Sequence, residues 1–175
     1  MVAVEIYRHL SLLGGFEMLN RQINTDPEAE MRRRIEDGID TGDPVKKTQV
    51  FQDAAGQGAV GTVNLFTVTG TVRVKLLAVC EVNLAGATAT LEVGISGATA
   101  SIIAQTTGTD IVAGEIWHDA TPDADIEAAT VMADVIIVGG ADIIATVGTA
   151  ALTAGQITFY AWVKEISTGA KVTAA

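Results

Sequence analysis

The fold turns on the stretch Thr71-Val72-Arg73-Val74-Lys75-Leu76-Leu77-Ala78-Val79-Cys80-Glu81-Val82-Asn83. Val72, Val74, Leu76, Ala78, Cys80 and Val82 recur at every second position, so a strand places all six on one face. Arg73, Lys75, Glu81 and Asn83 fall on the other face, together with Leu77 and Val79. The turn Leu84-Ala85-Gly86 follows, and Ala87, Ala89, Leu91, Val93 and Ile95 then alternate against Thr88, Thr90 and Glu92. The two runs predict a hairpin with one buried face.

The same signal recurs on both sides. Strands are expected at 62–69, 101–105, 141–147 and 156–166. The last has Ile157, Phe159, Ala161 and Val163 on one face and Tyr160, Trp162 and Lys164 on the other. Segment 126–138 reads two ways: Val135-Ile136-Ile137-Val138 suits a buried strand, and 128–133 suits a helical turn. Turn residues stand between the runs at Gly97, Gly108, Gly114, Pro122, Gly139-Gly140 and Gly155. Many short strands at this spacing imply a sandwich or barrel. No helix long enough for a βαβ crossover is evident past residue 48, which argues against a parallel α/β sheet. The expectation is an all-β, antiparallel β-sandwich, jelly-roll-like, with a short N-terminal arm that contains a helix.

Composition agrees. The hydrophobic share of 49% is mostly Ala, Val and Ile, and β-branched residues suit pleated strands better than helices. At 175 residues the chain can bury a core without metals or disulfides, and its single cysteine, Cys80, has no partner within the chain. Cys80 lies on the buried face of its strand and is expected to be an inert core thiol.

The character of the chain changes near residue 48. Residues 1–47 hold nine acidic and seven basic side chains; residues 48–175 hold twelve acidic and four basic ones. Asp40-Thr41-Gly42-Asp43-Pro44 is linker chemistry. The expected organisation is an arm at 1–47, a body at 48–168 and a C-terminal tail at 169–175. In the arm, Asp26 is a good N-cap, Pro27 fits the first helical position, and Gly38 can end a helix of about three turns. Residues 1–23, with Gly14-Gly15 between apolar runs, fit either a strand and a helix or two short helices.

The net charge of −10 argues against nucleic-acid binding, which needs clustered Lys and Arg. The one basic run, Arg32-Arg33-Arg34, is flanked by Glu28, Glu30, Glu36 and Asp37, so i,i+4 pairs can neutralise much of it. Its functional alternative is docking onto an acidic protein surface or onto packaged DNA. The N-terminus lacks a basic region followed by an apolar stretch, as a secretory signal requires. The longest apolar stretch, 131–144, is interrupted by Asp134, Gly139, Gly140 and Asp142, so no membrane span is expected. Synthesis in the cytoplasm is the simple reading.

Candidate chemistry is sparse. The acidic cluster Asp119-Ala120-Thr121-Pro122-Asp123-Ala124-Asp125-Ile126-Glu127 could offer oxygen ligands to Ca²⁺, but its spacing is not that of an EF-hand, and a solvated turn explains it. His118 beside Asp119 invites a triad with Ser96 or Ser101, yet no G-x-S-x-G is present and the chain has only two histidines, His9 and His118. Neither glycine pair carries a phosphate-loop pattern. No catalytic residue, cofactor or metal is expected. Trp117 and Trp162 suit either the core or a partner contact.

The body resembles the small virion proteins of tailed bacteriophages that decorate the capsid or serve as head accessories. The residues that carry the likeness are Leu65-Phe66-Thr67-Val68-Thr69-Gly70, then Val72 to Cys80, then Ala89-Thr90-Leu91-Glu92-Val93-Gly94. It continues through Ile102-Ile103-Ala104-Gln105-Thr106-Thr107, Gly114-Glu115-Ile116-Trp117, Asp119-Ala120-Thr121-Pro122-Asp123 and the run from Gly140 to Ala150. The likeness covers roughly residues 60–165 and leaves the arm unmatched. It implies a homotrimeric β-sandwich bound to the major capsid protein on the outer shell, often at local three-fold axes, without enzymatic activity. Arg32, Arg33, Arg34 and Trp117 are then the expected partner contacts. A tail or head-fibre component binding a host receptor or glycan is the rival expectation, and a virion hydrolase is a distant third.

Overall fold

The computed structural model describes residues 42–124 and 132–175. The chain divides between residues 41 and 42. The expected helix after Asp26, the run Arg32-Arg33-Arg34 and the acidic pair Asp125 and Glu127 lie outside the described residues.

Among the described residues, ten strands form two antiparallel sheets. They are β1 (Val45–Val50), β2 (Gly61–Thr69), β3 (Val72–Ala85), β4 (Thr90–Ile95), β5 (Ala98–Thr107), β6 (Ile116–Trp117), β7 (Asp134–Ile137), β8 (Ile143–Gly148), β9 (Ala154–Glu165) and β10 (Lys171–Ala174). Sheet A runs β1-β9-β3-β6, with β7 also on the far edge of β3. Sheet B runs β10-β2-β8-β4-β5. The antiparallel partners are nested: β4 with β5, β3 with β6 and β7, β2 with β8, β1 with β9. The described body is therefore one long two-stranded ribbon, closed at the β4–β5 hairpin and folded back and forth between the sheets. Where its turns lie side by side, β9 pairs β3 and β8 pairs β4.

The inner faces meet in one core. Val72, Val74, Leu76, Ala78 and Cys80 of β3, with Ile157, Phe159 and Ala161 of β9, face Val63, Leu65, Phe66, Leu91, Val93, Ile103, Ala145 and Val147 from the opposing sheet. Fully burying each larger aliphatic or aromatic side chain contributes about 1.5–3 kcal/mol, against the backbone entropy that ordering costs. The body is all-β and antiparallel in two sheets, as the alternation predicts.

Four expectations are corrected. First, β3 and β4 are not a hairpin; they belong to different sheets. Gly86 makes the crossing, at φ 148°, and a Cβ there would lie 2.6 Å from the carbonyl oxygen of Ala151. Second, Val82 is not on the buried face. Cys80 pairs Ile157 and Val82 pairs Gln156, so β3 spends one extra residue at Glu81. This bulge turns Val82 outward, 51% exposed, and the inward set resumes at Leu84. Third, the body reaches further than 48–168: β1 begins at Val45, and β10 pairs Lys171–Ala174 with β2, so residues 169–175 are not a free tail. Neither shows apolar alternation: β1 turns Lys47 and Gln49 inward, and β10 buries only Val172. Fourth, of Val135 to Val138 only Ile137 is buried, because β7 is an edge strand with one covered face.

Edge strand β1 turns Lys47 and Gln49 toward the sandwich interior, opposite Phe159 and Ile157. The Lys47 ammonium donates to the carbonyl oxygen of Ala175, beyond β10 in the other sheet. An inward charge on an edge strand discourages pairing with foreign strands.

Gly94 is the tightest point of the β4–β5 ribbon. A Cβ there would lie 2.1 Å from the carbonyl oxygen of Ala98 and 2.7 Å from that of Thr99. Gly94→Ala is expected to cost about 1–3 kcal/mol by overpacking, read as a lower urea midpoint at an unchanged slope. An unchanged midpoint would show that β5 retreats from Gly94 without cost.

Candidate functional site

His118 follows the two-residue strand β6, and the chain then turns back on itself. Asp123 pairs Ile116 through N–H···O bonds of 2.8 and 2.9 Å, and the Thr121 amide donates to Asp119 Oδ1 at 2.7 Å. The short loop sets a carboxylate on each side of the imidazole. Nδ1 lies 3.9 Å from Asp119 Oδ2, and Nε2 lies 3.5 Å from Asp123 Oδ2. The imidazole is buried, and the carboxylates reach solvent. Ser96 is exposed in the β4–β5 turn and Ser101 is exposed on β5, so the expected triad alternative finds carboxylates where a nucleophile would have to stand. Among the described residues no three His, Cys, Asp or Glu side chains converge on a point that could hold a metal.

Trp117 is corrected from partner contact to core. Its relative exposure is 0%, its ring meets Phe159 edge-on at 6.4 Å and 66°, and its Nε1–H donates to Thr106 Oγ1 at 2.9 Å. Thr106 in turn reaches the carbonyl oxygen of Asp119 at 3.3 Å, tying the His118 loop to β5. A two-residue strand has no alternation to reveal which way Trp117 faces. Cys80 is buried, and its thiol contacts the carbonyl oxygens of Val82 at 3.3 Å and Ile111 at 3.6 Å. Burial first, and Glu115 second, push its pKa up to about 11, so it stays a thiol at neutral pH.

The surface with the most concentrated chemistry is the outer face of sheet A. The β1–β9–β3 register sets Lys46, Tyr160 and Leu77 in one row, then Thr48, Thr158 and Val79, with Ile116 of β6 beyond. Lys75 stands beside Trp162 and Asp134, and Arg73 beside Lys164 and Ile136. Leu77, Val79, Ile116, Tyr160 and Trp162 are half-buried, while Val50, Val82 and Ile136 project into solvent. The Lys46 ammonium sits 5.4 Å above the Tyr160 ring, a cation–π distance. The sequence shows Lys75 and Leu77 on one strand face, and Tyr160 and Trp162 on another. Only the β3–β9 register makes them one surface.

Two carboxylates on this face are held by neighbours. Glu81, on this face by the alternation of β3, accepts from Thr158 Oγ1 at 2.6 Å and from the Gln156 amide. Because Thr158 spends its proton on Glu81, Thr48 is the donor in the 2.7 Å Thr48–Thr158 contact. Arg73 grips Asp134 in a two-point pair, Nε to Oδ1 at 2.7 Å. Thr158 and Gln156 hold the Glu81 carboxyl below its ordinary range, and Arg73 does the same for Asp134.

No family model, curated protein or solved structure matches the chain.

Two outcomes are expected. A carboxyl with a depressed folded pKa adds stability above its unfolded pKa and loses it as pH falls through the folded one. Glu81→Gln should therefore flatten the acid limb of stability against pH, measured by urea unfolding; an identical limb in variant and wild type would show that the bonded carboxylate contributes nothing. The tryptophans should separate under acrylamide quenching. At high dilution, Trp162→Phe leaves the sheltered Trp117 emission and Trp117→Phe leaves the half-buried Trp162 emission, so equal quenching of the two variants there would contradict the buried placement of Trp117.

Proposed function

We propose that the protein is a structural component of a tailed-bacteriophage particle, a decoration protein that binds the major capsid protein on the outer shell and stabilises it. The observation that carries this reading is the strand order. The path β1-β9-β3 with β6 and β7 opposes β2-β8-β4-β5, an order that supports reading the sandwich as a jelly roll, with β6 and β7 taken as sharing one position and β10 as an added edge. Jelly rolls serve viral capsid and lectin domains among others, and fold alone does not assign function. The residue pattern that resembles phage virion proteins adds the second support, because it falls on the framework of this winding: 65–70 on β2, 72–80 on β3, 89–94 on β4, 102–107 on β5 and 140–150 on β8.

In this reading the body acts through its shape. A rigid two-sheet core resists the local openings that expose a shell to damage, and an acidic surface keeps the body in solvent. The charged segment 1–41, with Arg32, Arg33 and Arg34, supplies the anchor on the major capsid protein. Copies act as homotrimers on the virion surface after synthesis in the bacterial cytoplasm. No nucleic acid, membrane or cofactor enters the reading.

Immunogold electron microscopy of particles of the encoding virus tests it. Label spread evenly over the head is expected, with loss of capsid binding when residues 1–41 are removed from a body that keeps its β circular dichroism. Label confined to the tail, or absent from particles, overturns the decoration reading.

A further inference from the structure

Charge is divided unevenly over the body. Its described residues hold six basic and eleven acidic side chains. The outer face of sheet A holds four of the basic ones, Lys46, Arg73, Lys75 and Lys164, and three of the acidic ones, Glu81, Asp134 and, through its bridge to Ile116, Asp123. The face therefore carries +1, and everything else carries −6, from two basic and eight acidic groups. The cations surround apolar surface, with Trp162 and Tyr160 at the centre. An apolar middle with a charged rim is how protein interfaces are built. The size also fits. At about 3.3 Å per residue, the twelve-residue β9 is about 40 Å long, and four strand positions about 4.8 Å apart make the face about 14 Å wide. That is on the order of 600 Å², near one side of a standard interface.

A complement exists on the same chain. Between Gly108 and Ala120 stand Asp110, Glu115 and Asp119, without one basic residue. Asp119 is 55% exposed at its side chain, on a loop fixed by the Asp123–Ile116 bridge and by Thr106. We infer that the basic, aromatic outer face of sheet A binds the acidic loops around β6 of a second copy of this chain. The two surfaces differ, so the contact is head-to-tail. Such a contact closes into a ring when the rotation between copies allows, and each copy then gives one surface and receives the other. This stands whether or not the capsid assignment holds.

The test uses the full chain in sedimentation velocity. Wild type should sediment above monomer mass, with the assembled fraction falling as salt rises, because salt screens charge pairing. Lys75→Glu with Lys164→Glu, and separately Asp110→Lys with Asp119→Lys, should each sediment as monomers with unchanged β circular dichroism. An equimolar mixture of the two should regain assembly, since the reversed face then meets reversed loops. A monomeric wild type overturns the inference and leaves the face to a different protein. Wild-type mass in the first variant, or a mixture that stays monomeric, overturns it as well. Should a reversal variant fail to fold, dilution of wild type decides. Acrylamide quenching must rise on dilution as Trp162 is uncovered, and quenching independent of concentration overturns the inference.

Discussion

The pairing of β3 with β9 is the interaction on which the rest depends. These are the two longest strands of the described body, and their register runs from Val72 opposite Glu165 to Ala85 opposite Ala154. On the inside it joins the apolar rows that close over sheet B. Outside, it brings Lys75 to Trp162 and Leu77 to Tyr160. At Glu81 it slips by one residue, and that slip turns Val82 outward beside the carboxylate that Thr158 and Gln156 hold. Because side chains alternate with a period of two, a further shift of one residue would exchange the core set for the surface set along the whole strand. The register is held because Val72, Val74, Leu76 and Ala78 have no comparably dry alternative.

Much of this was legible in the chain itself. Alternation located β2, β3, β4, β5, β8 and β9, because each buries one face and strand geometry then imposes a two-residue rhythm. The rhythm does not say which sheet a strand joins. The turn Leu84-Ala85-Gly86 reads as a hairpin, yet the conformation of Gly86 and the nearby Ala151 carbonyl carry the chain to the other layer. That information lies in residues some 65 positions away. Val82 shows the same limit on a smaller scale, since a bulge is defined by the partner strand as much as by its own sequence. β6 and β10 have too few residues to establish a rhythm, and the inward Lys47 and Gln49 hide that of β1.

The surface chemistry was legible in pieces. Tyr160, Trp162 and Lys164 on one face, and Arg73, Lys75, Leu77 and Val79 on another, were both readable; their union was not. Trp117 points the opposite way from a surface anchor because Thr106 and Phe159 wait for it inside, and neither is near it in sequence. His118 drew attention through its neighbour Asp119, and the structure adds Asp123, returned to the ring by the backbone bridge at Ile116. Proximity along the chain found one carboxylate, and the fold supplied the second.

The nested ribbon also sets the order in which the molecule can form. Its innermost pair, Ile95 with Ala98, closes a three-residue separation, while Val50 and Gln156 stand 106 residues apart. Loop-closure entropy grows with that distance, so the β4–β5 tip can zip early and β1 must wait for β9. During synthesis β1 leaves the ribosome first and stays unpaired until nearly all of the body exists. A bare strand in that interval is open to other nascent copies. Lys46 and Lys47, adjacent on β1, make such pairing unfavourable by setting like charges together, and Lys47 turns inward only when the last partner arrives. The inward lysine at the edge thus acts as a guard on folding time, kept through most of the chain's assembly and absorbed into the finished sandwich at its end.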